Sequence, residues 1–138
     1  MALLVDTSVW SLAFRRDKPG ATPEVSELHR ALQSGDSIYI TGVVLQELLQ
    51  GFRKPKAHQQ IVSHFESLPL LVPDREDYIQ SAELHNHCRA KGVQVGTIDA
   101  LLAHLCIRHD LIMLSTDKDF EYISKLTRLE IWREHRNT

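Results

Sequence analysis

The chain has 138 residues, of which 43% are hydrophobic and 25% are charged, a balance that is typical of a soluble globular domain and excludes a disordered or membrane-embedded chain. This length predicts a single domain over 1–138, large enough to bury a core without disulfides or a structural metal. The formal net charge of -2 excludes nucleic-acid attraction by overall charge, so any such contact must come from local basic clusters.

The first part of the chain predicts alternating strands and helices. The apolar run from Ala2 to Val5 is typical of a strand that is buried on both faces, and a helix is expected to start at Thr7 and Ser8. The stretch Thr22-Pro23-Glu24 combines an N-cap, a first-turn proline and an early acid, and Gly35 ends the helix that follows. These signals predict a strand followed by two helices.

The remaining elements continue this alternation. Strands are predicted at 37–41, at 69–73 between two prolines, at 111–115 and at 129–132. Helices are predicted after Gly42, from Pro55, from Asp74 toward Gly92, from Thr97, and around 119–125. Strands separated by helices predict an α/β/α sandwich with a parallel sheet of about five strands.

Parallel sheets bind their ligands beyond the carboxyl ends of the strands. Asp6 and Asp117 each directly follow a predicted strand. If those two strands are neighbours, both carboxylates project into one crevice. Each acid also has a purely structural explanation, since Asp6 and Asp117 are residue types that cap helices and Asp99 favours the positive end of a helix.

Glu47 is harder to explain as a structural residue. It stands between Val44, Leu45, Leu48 and Leu49, a pattern that predicts a largely buried helix. A buried carboxylate needs a cation or several hydrogen bonds. No Lys or Arg lies within one turn of it.

Four motifs stand in order along the chain: VDTSVW with Asp6, LQELLQG with Glu47, GTIDALLAH with Asp99, and LSTDKDF with Asp117. Together they resemble the PIN-domain ribonucleases, most closely the VapC-type toxins of toxin–antitoxin modules. The resemblance covers nearly the whole chain and shows no departure at any acidic position. It implies a PIN-like fold in which these four acids form the catalytic, metal-binding quartet.

The resemblance also implies supporting residues. Asp119 would be a variable fifth metal ligand, and Thr7 and Ser115 would be supporting polar groups. Physical reasoning favours a cation at such a site, because carboxylates about 4 Å apart repel by about 4 kcal/mol at an effective dielectric near 20. Ligands that are all oxygen favour Mg²⁺ or Mn²⁺. The number of ions stays open.

Zinc is the competing metal, since His85, His87 and Cys88 stand together in HNHC. A zinc site wants four ligands with a recognisable spacing, and no second cluster is present. On a helix, His85 and Cys88 share a face while His87 points elsewhere. We therefore interpret HNHC as part of an amphipathic helix, with Cys88 and Cys106 as reduced core thiols.

The activity implied by the resemblance is endonucleolytic hydrolysis of RNA that leaves 5′-phosphate and 3′-hydroxyl ends. Water would be the nucleophile, because no nucleophilic dyad can be assigned, and Ser8 and Ser115 are interpreted as orienting groups. The candidates for RNA binding are basic residues near the motifs: Arg15, Arg16, Arg53 and Lys118, and in addition Lys18, Lys54 and Lys56. Each of them is explained equally well as an ordinary solvent-exposed surface residue.

The resemblance further implies a protein antitoxin that covers the site and a homodimer. The N-terminus has no basic segment and its apolar run stops at Asp6, so we expect no signal peptide, no membrane contact and a cytoplasmic location. The main alternative is a catalytically silent PIN scaffold that binds RNA or a protein.

Two other classes of protein fit the sequence less well. An aspartate-nucleophile phosphatase requires an acid at the position of Ser8, and a phospho-receiver requires an acid at the end of the strand 37–41, where Thr41 stands. The RNA target stays open.

Overall fold

The computed structural model of the protein describes residues 1–15 and 22–134. The described strands are β1 (Ala2–Val5), β2 (Ser37–Thr41), β3 (Leu70–Leu71), β4 (Ile112–Leu114) and β5 (Glu130–Ile131). The described helices are α1 (Thr7–Phe14), α2 (Pro23–Ser34), α3 (Gly42–Gly51), α4 (Pro55–Phe65), α5 (Arg75–Ala90), α6 (Thr97–His109) and α7 (Asp119–Leu126). Every predicted strand and helix is present, and the prediction of a single domain over 1–138 stays a prediction.

Helix ends follow the signals in the sequence. The Thr22 hydroxyl accepts a hydrogen bond from the Val25 backbone N–H at 3.2 Å, and Gly35 ends α2 with a φ of 74°. That left-handed conformation carries little steric cost for a residue without a Cβ. Asp74 and Asp77 form a capping box at the start of α5. These contacts satisfy backbone groups that a helix end otherwise leaves unpaired.

The five strands form one parallel sheet in the order β3-β2-β1-β4-β5. β1 lies at its centre, with Leu3 beside Ile38 of β2 on one side and beside Ile112 of β4 on the other. The chain builds the sheet outward from β1 through β2 and β3, and then returns to the other side of β1 for β4. The carboxyl ends of β1 and β4 therefore form the topological switch point, where open α/β sheets bind ligands.

Helices cover the sheet in two groups. α1 contacts α2 and α3, and α3 contacts α4, whereas α5 packs along α6 and α6 contacts α7. Right-handed crossovers place these groups on opposite faces, because the order of strands reverses after β3. The α/β/α sandwich with a five-stranded parallel sheet is confirmed.

The buried strands supply the centre of the core. Leu3, Leu4 and Val5 of β1 are fully buried, and Cys88 and Cys106 are buried free thiols, as predicted. The edge strands are shorter than the apolar runs suggested. Proline has no N–H to donate to a strand ladder, so Pro69 and Pro73 limit β3 to two residues. Within the described residues, no helix has the length and apolar character to cross a membrane.

Candidate metal and active site

Asp6 lies at the switch point, directly after β1, and is 8% exposed. Its backbone N–H donates to the Leu114 carbonyl at 3.0 Å, which continues the pairing of β1 with β4. Asp6 stands at the N-cap position of α1, but its side chain makes no capping hydrogen bond. The interpretation of Asp6 as a helix cap is therefore wrong, and its carboxylate has other partners.

Two serine hydroxyls hold the Asp6 carboxylate. Ser8 donates to its Oδ2 at 2.9 Å and Ser115 donates to the same oxygen at 2.8 Å. Each hydroxyl also accepts a backbone N–H, Ser8 from Thr116 and Ser115 from Asp117. The two hydroxyls thus hold the Asp6 carboxylate in position. Within the part of the chain that the structure describes, Oδ1 has no hydrogen-bond partner and is available for another ligand.

Glu47 does not fit the prediction of a buried carboxylate. It is exposed, because α3 buries only one face, with Val44 and Leu48 at 0% exposure. The hydroxyl of Thr7 donates to its Oε1 at 2.8 Å. The prediction of burial was wrong, while a hydrogen-bond partner is present. This contact joins the start of α1 to the second turn of α3.

Asp99, Asp117 and Asp119 form the tightest acidic cluster in the described residues. Each offers a carboxylate oxygen, and the three oxygens lie within 4.8 Å of one another. Asp99 sits in the first turn of α6, while Asp117 and Asp119 flank the start of α7. Each pair of charges repels by between about 1 kcal/mol in water and about 4 kcal/mol at a dielectric near 20. Asp119, the fifth candidate, belongs to this cluster.

The pKa of Asp99 responds to the charges of the other four acids. Partial burial and then the negative charges of Asp6, Asp117, Asp119 and Glu47 raise the pKa of Asp99 to about 6. The charges act on Asp99 because all four acids lie close to it, although they come from three separate parts of the chain. Asp6 and Glu47 thus lie near enough for their charges to act on Asp99, outside the cluster of three carboxylate oxygens, and the roles of all five acids as ligands stay predictions.

This arrangement fits a divalent cation. The donor set consists of carboxylate and hydroxyl oxygens, which are the ligands that Mg²⁺ and Mn²⁺ prefer. No Lys or Arg forms an ion pair with these five acids among residues 1–15 and 22–134. No described basic side chain therefore neutralises the negative charge of these acids. Asp6, Glu47, Asp99, Asp117 and Asp119 are the residues that would hold the cation.

Asp117 and Asp99 each stand beside the start of a helix. Asp117 Oδ1 accepts the backbone N–H of Asp119 at 2.9 Å, but Lys118 holds the N-cap position of α7 and that helix has no side-chain capping hydrogen bond, so the capping role expected for Asp117 is not confirmed. Its second oxygen takes part in no hydrogen bond within the described residues. Asp99 lies in the first turn of α6, whose positive end favours a carboxylate.

The side chains of the HNHC segment do not form a cluster of zinc ligands within the described residues. Cys88 is buried, and Nε2 of the exposed His87 lies 3.1 Å from the carbonyl of Leu126. The segment belongs to α5, as its interpretation as an amphipathic helix predicted.

Of the predicted RNA-binding residues that the structure describes, only Lys118 lies beside the acidic cluster. Arg15 follows the end of α1, and the length of this helix places it about 12 Å from Thr7 at the helix start. Arg53 follows the end of α3, at a similar distance from the start of that helix. Arg15, Arg53 and Lys118 are exposed and form no ion pair with another described residue. Arg16 and Lys18 lie outside the described residues. The RNA-binding roles stay predictions.

Sequence reasoning missed a buried ion-pair network between α5 and α6. Asp77 is 1% exposed, with Oδ1 2.8 Å from His104 Nε2 and Oδ2 accepting from Arg108 at 2.5 Å. Burial alone would raise the pKa of Asp77, but hydrogen bonds from the Asp74 backbone, His104 and Arg108 hold that pKa well below its usual range. The only signal in the sequence was the D-x-x-D spacing of a capping box.

Comparison with known proteins identifies the family to which this chain belongs. The model of the PIN domain family matches residues 3–126. The chain belongs to the PIN domain family. Among characterised relatives, Ribonuclease VapC11 of Mycobacterium tuberculosis is 31% identical over 130 residues, which are 93% of this chain and 96% of that protein. This identity and coverage place the chain with the VapC ribonucleases, and the resemblance predicted from the four motifs is confirmed.

Solved structures show the same fold. VapBC2 from Rickettsia felis, bound to a DNA fragment from its promoter, matches with a TM-score of 0.72 and 20% identity, covering 96% of this chain and 98% of that one. VapBC-1 from nontypeable Haemophilus influenzae matches with a TM-score of 0.73 and 17% identity, covering 96% and 97%. At these identities the likeness concerns the fold alone, and it agrees with the PIN-like sandwich described above.

Proposed function

We propose that this PIN domain is an Mg²⁺- or Mn²⁺-dependent endoribonuclease, the toxin of a toxin–antitoxin pair in the cytoplasm. The observation that carries the proposal is the cluster of Asp99, Asp117 and Asp119 near the switch point of the sheet, with Asp6 and Glu47 close enough for their charges to act on Asp99. The ribonuclease activity in the names of the 31% identical relatives supports the same conclusion. A catalytically silent scaffold has less support, because no acidic position of the four motifs has been lost.

The side chains of the site have different roles in the proposed hydrolysis. Asp6, held by hydrogen bonds from Ser8 and Ser115, would contribute its Oδ1 to the cation, and Glu47, which accepts a hydrogen bond from Thr7, would contribute a second carboxylate. Asp99, Asp117 and Asp119 supply the remaining carboxylates. A bound divalent cation lowers the pKa of water and neutralises charge on the scissile phosphate. Lys118, between Asp117 and Asp119, lies where it can contact a neighbouring phosphate of the RNA.

A cleavage assay tests the activity directly. We expect the purified chain to cut single-stranded RNA in millimolar Mg²⁺ or Mn²⁺, to stop in EDTA, and to recover when excess Mg²⁺ is added. The products should carry 5′-phosphates, detected by their degradation with a 5′-phosphate-dependent exonuclease. Cutting that persists in EDTA would overturn the role of the cation. Binding of RNA without cutting, with every cation tried, would favour the silent scaffold.

Metal binding should also appear as thermal stabilisation that depends on pH. Because the folded-state pKa of Asp99 is about 6, above its ordinary value, charging this group costs the metal-free protein stability as the pH rises through 6. Mg²⁺ competes with that proton and binds the charged form. We therefore expect millimolar Mg²⁺ to raise the Tm more at pH 7.5 than at pH 5 in a thermal-shift assay.

Asp99→Asn is the matched control for this measurement. It removes the titrating group, so the Tm of the metal-free variant should lose the part of its pH dependence that Asp99 supplies, and Mg²⁺ should stabilise it less. An equal Mg²⁺-induced shift at both pH values in the unchanged protein would show that Asp99 does not contribute to the cation site.

The proposed partners are RNA, a cognate antitoxin and a second copy of the chain. Large apolar side chains on α5 and at the start of α6 support a protein contact, since Tyr78 is 56% exposed, Ile79 47% and Ile98 38%. Light scattering during size exclusion should give about twice the mass of 15.8 kDa. A mass of one chain at micromolar concentration would contradict the homodimer.

A further inference from the structure

A cleft adjoins the acidic site on the side of β5. Its volume is about 430 Å³, within the roughly 300–1,000 Å³ range of small-ligand sites. Ser115 and Asp117 line both the cleft and the acidic site, and Phe120, Ile131 and Trp132 line its far part. RNA held at the cation site can therefore extend into the cleft without leaving the surface.

Trp132 is the aromatic residue that a ligand in this cleft can reach. It is only partly buried, whereas Phe120 is 1% exposed. The backbone N–H of Trp132 donates to the Met113 carbonyl at 2.8 Å, which continues the pairing of β5 with β4. The sheet thus fixes the backbone of this residue relative to Ser115 and Asp117, and its side chain packs in part against the core. A partly exposed aromatic side chain beside a binding groove is a platform on which single-stranded nucleic acids stack a base.

The charges around the cleft indicate which part of a nucleotide fits. Four acids line it, against the two cations Lys118 and Arg133, and Arg133 is paired with Glu121 at 3.4 Å. This excess of negative charge disfavours a phosphate inside the cleft. Carboxylates accept hydrogen bonds from the amino groups of adenine, cytosine and guanine, while the Watson–Crick edge of uracil has no amino group and offers one N3–H donor between two carbonyls, whose oxygens carboxylates repel.

We propose that this cleft is a nucleobase subsite, in which Trp132 stacks an amino-bearing base of the RNA next to the scissile phosphate and acids such as Glu121 select against uracil. This inference rests on the proposed ribonuclease function and extends it to substrate choice. Lys118, which has no ion-pair partner among the described residues, contacts the backbone of the bound RNA.

The test measures binding separately from cutting. Fluorescence anisotropy with labelled oligoadenylate, oligocytidylate and oligouridylate uses the Asp6→Asn protein in Mg²⁺, so that the RNA stays intact. We expect oligoadenylate and oligocytidylate to bind more tightly than oligouridylate. Trp132→Ala in the same background should weaken oligoadenylate binding roughly 5- to 150-fold, the range found when stacking is lost. Trp132→Phe should keep most of the affinity, and Glu121→Gln should reduce the discrimination against uracil.

Intrinsic fluorescence gives a second readout that does not need Trp132→Ala to fold. The chain has two tryptophans, and Trp10 is 1% exposed. Oligoadenylate should quench the emission of the protein, and Trp132→Phe should abolish that quenching. Quenching that survives in Trp132→Phe, an absence of quenching, or equal affinity for oligouridylate would each overturn the subsite.

The results that would contradict the subsite differ from those that would contradict the proposed function. If the proposed function is wrong, the unchanged chain does not cut RNA with any divalent cation. If only the subsite fails, the unchanged chain cuts RNA, while Trp132→Ala binds and cuts it equally well. A cleft that serves an antitoxin instead would show the second result, with a basic peptide protecting Trp132 from quenching by acrylamide.

Discussion

Asp6→Asn is expected to slow RNA cleavage by at least about 100-fold, the usual cost of removing one group that stabilises charge in the transition state. Asparagine has the same shape and can offer its carbonyl oxygen to Ser8 and Ser115, which now donate to Asp6 Oδ2. The substitution removes a negative charge and turns an N–H₂ group toward the cation. Initial rates on one defined RNA in Mg²⁺ measure the effect.

Stability separates this effect from misfolding. Asp6 contributes to the negative charge that raises the pKa of Asp99, so its neutralisation should leave the metal-free Tm unchanged or raise it. Asp110→Asn is the matched control, because Asp110 is exposed and has a φ of 55°, a conformation that asparagine adopts readily. It should cut RNA normally. A slow Asp110→Asn or a fully active Asp6→Asn would contradict the assignment of the site.

Asp77→Asn is expected to destabilise the fold by roughly 2 to 4 kcal/mol, which corresponds to a fall in Tm of about 10 °C. Asp77 is almost fully buried and accepts from Arg108 and the Asp74 backbone, with His104 alongside. An amide in its place presents an N–H₂ group to a neighbouring donor. The cost stays below the upper range for buried pairs because Arg108 is 45% exposed and can reach water.

The pH dependence of this loss has a definite direction. Because the folded-state pKa of Asp77 is lowered, its stabilising contribution is present above its ordinary pKa of about 4 and disappears as the pH falls below that value. The difference in Tm between the unchanged chain and Asp77→Asn should therefore be largest near neutral pH and should narrow in acid. Thermal denaturation followed by circular dichroism measures both.

Asp74→Asn provides the control for Asp77→Asn. Asp74 is exposed, lies 3.5 Å from Arg108, and asparagine is an equally good N-cap. We expect its free energy of unfolding to change by no more than about 0.5 kcal/mol. Both variants should keep RNA cleavage at temperatures where they are folded, since Arg108 lies about 13 Å along α6 from Asp99. A Tm for Asp77→Asn within about 2 °C of the original would refute the importance of the network.

The sequence by itself determined the order of elements, because the signals are local. Apolar runs, caps at Thr22 and Asp74, and the glycine at 35 act within a few residues of one another. The same holds for the four acidic motifs, each of which is a short stretch next to a strand or helix end. Alternation of strands with helices then left a parallel sandwich as the expected class.

Only the tertiary structure decided which side chains meet. Glu47 was predicted to be buried from its apolar neighbours, yet α3 turns it to the surface, where Thr7 from a different helix binds it. Asp119 joins Asp99 because α6 and α7 start near the same sheet edge. Trp132 and Asp77 gave no comparable signal. Their partners lie far away along the chain, and burial and charge at such positions depend on packing that no short stretch of sequence encodes.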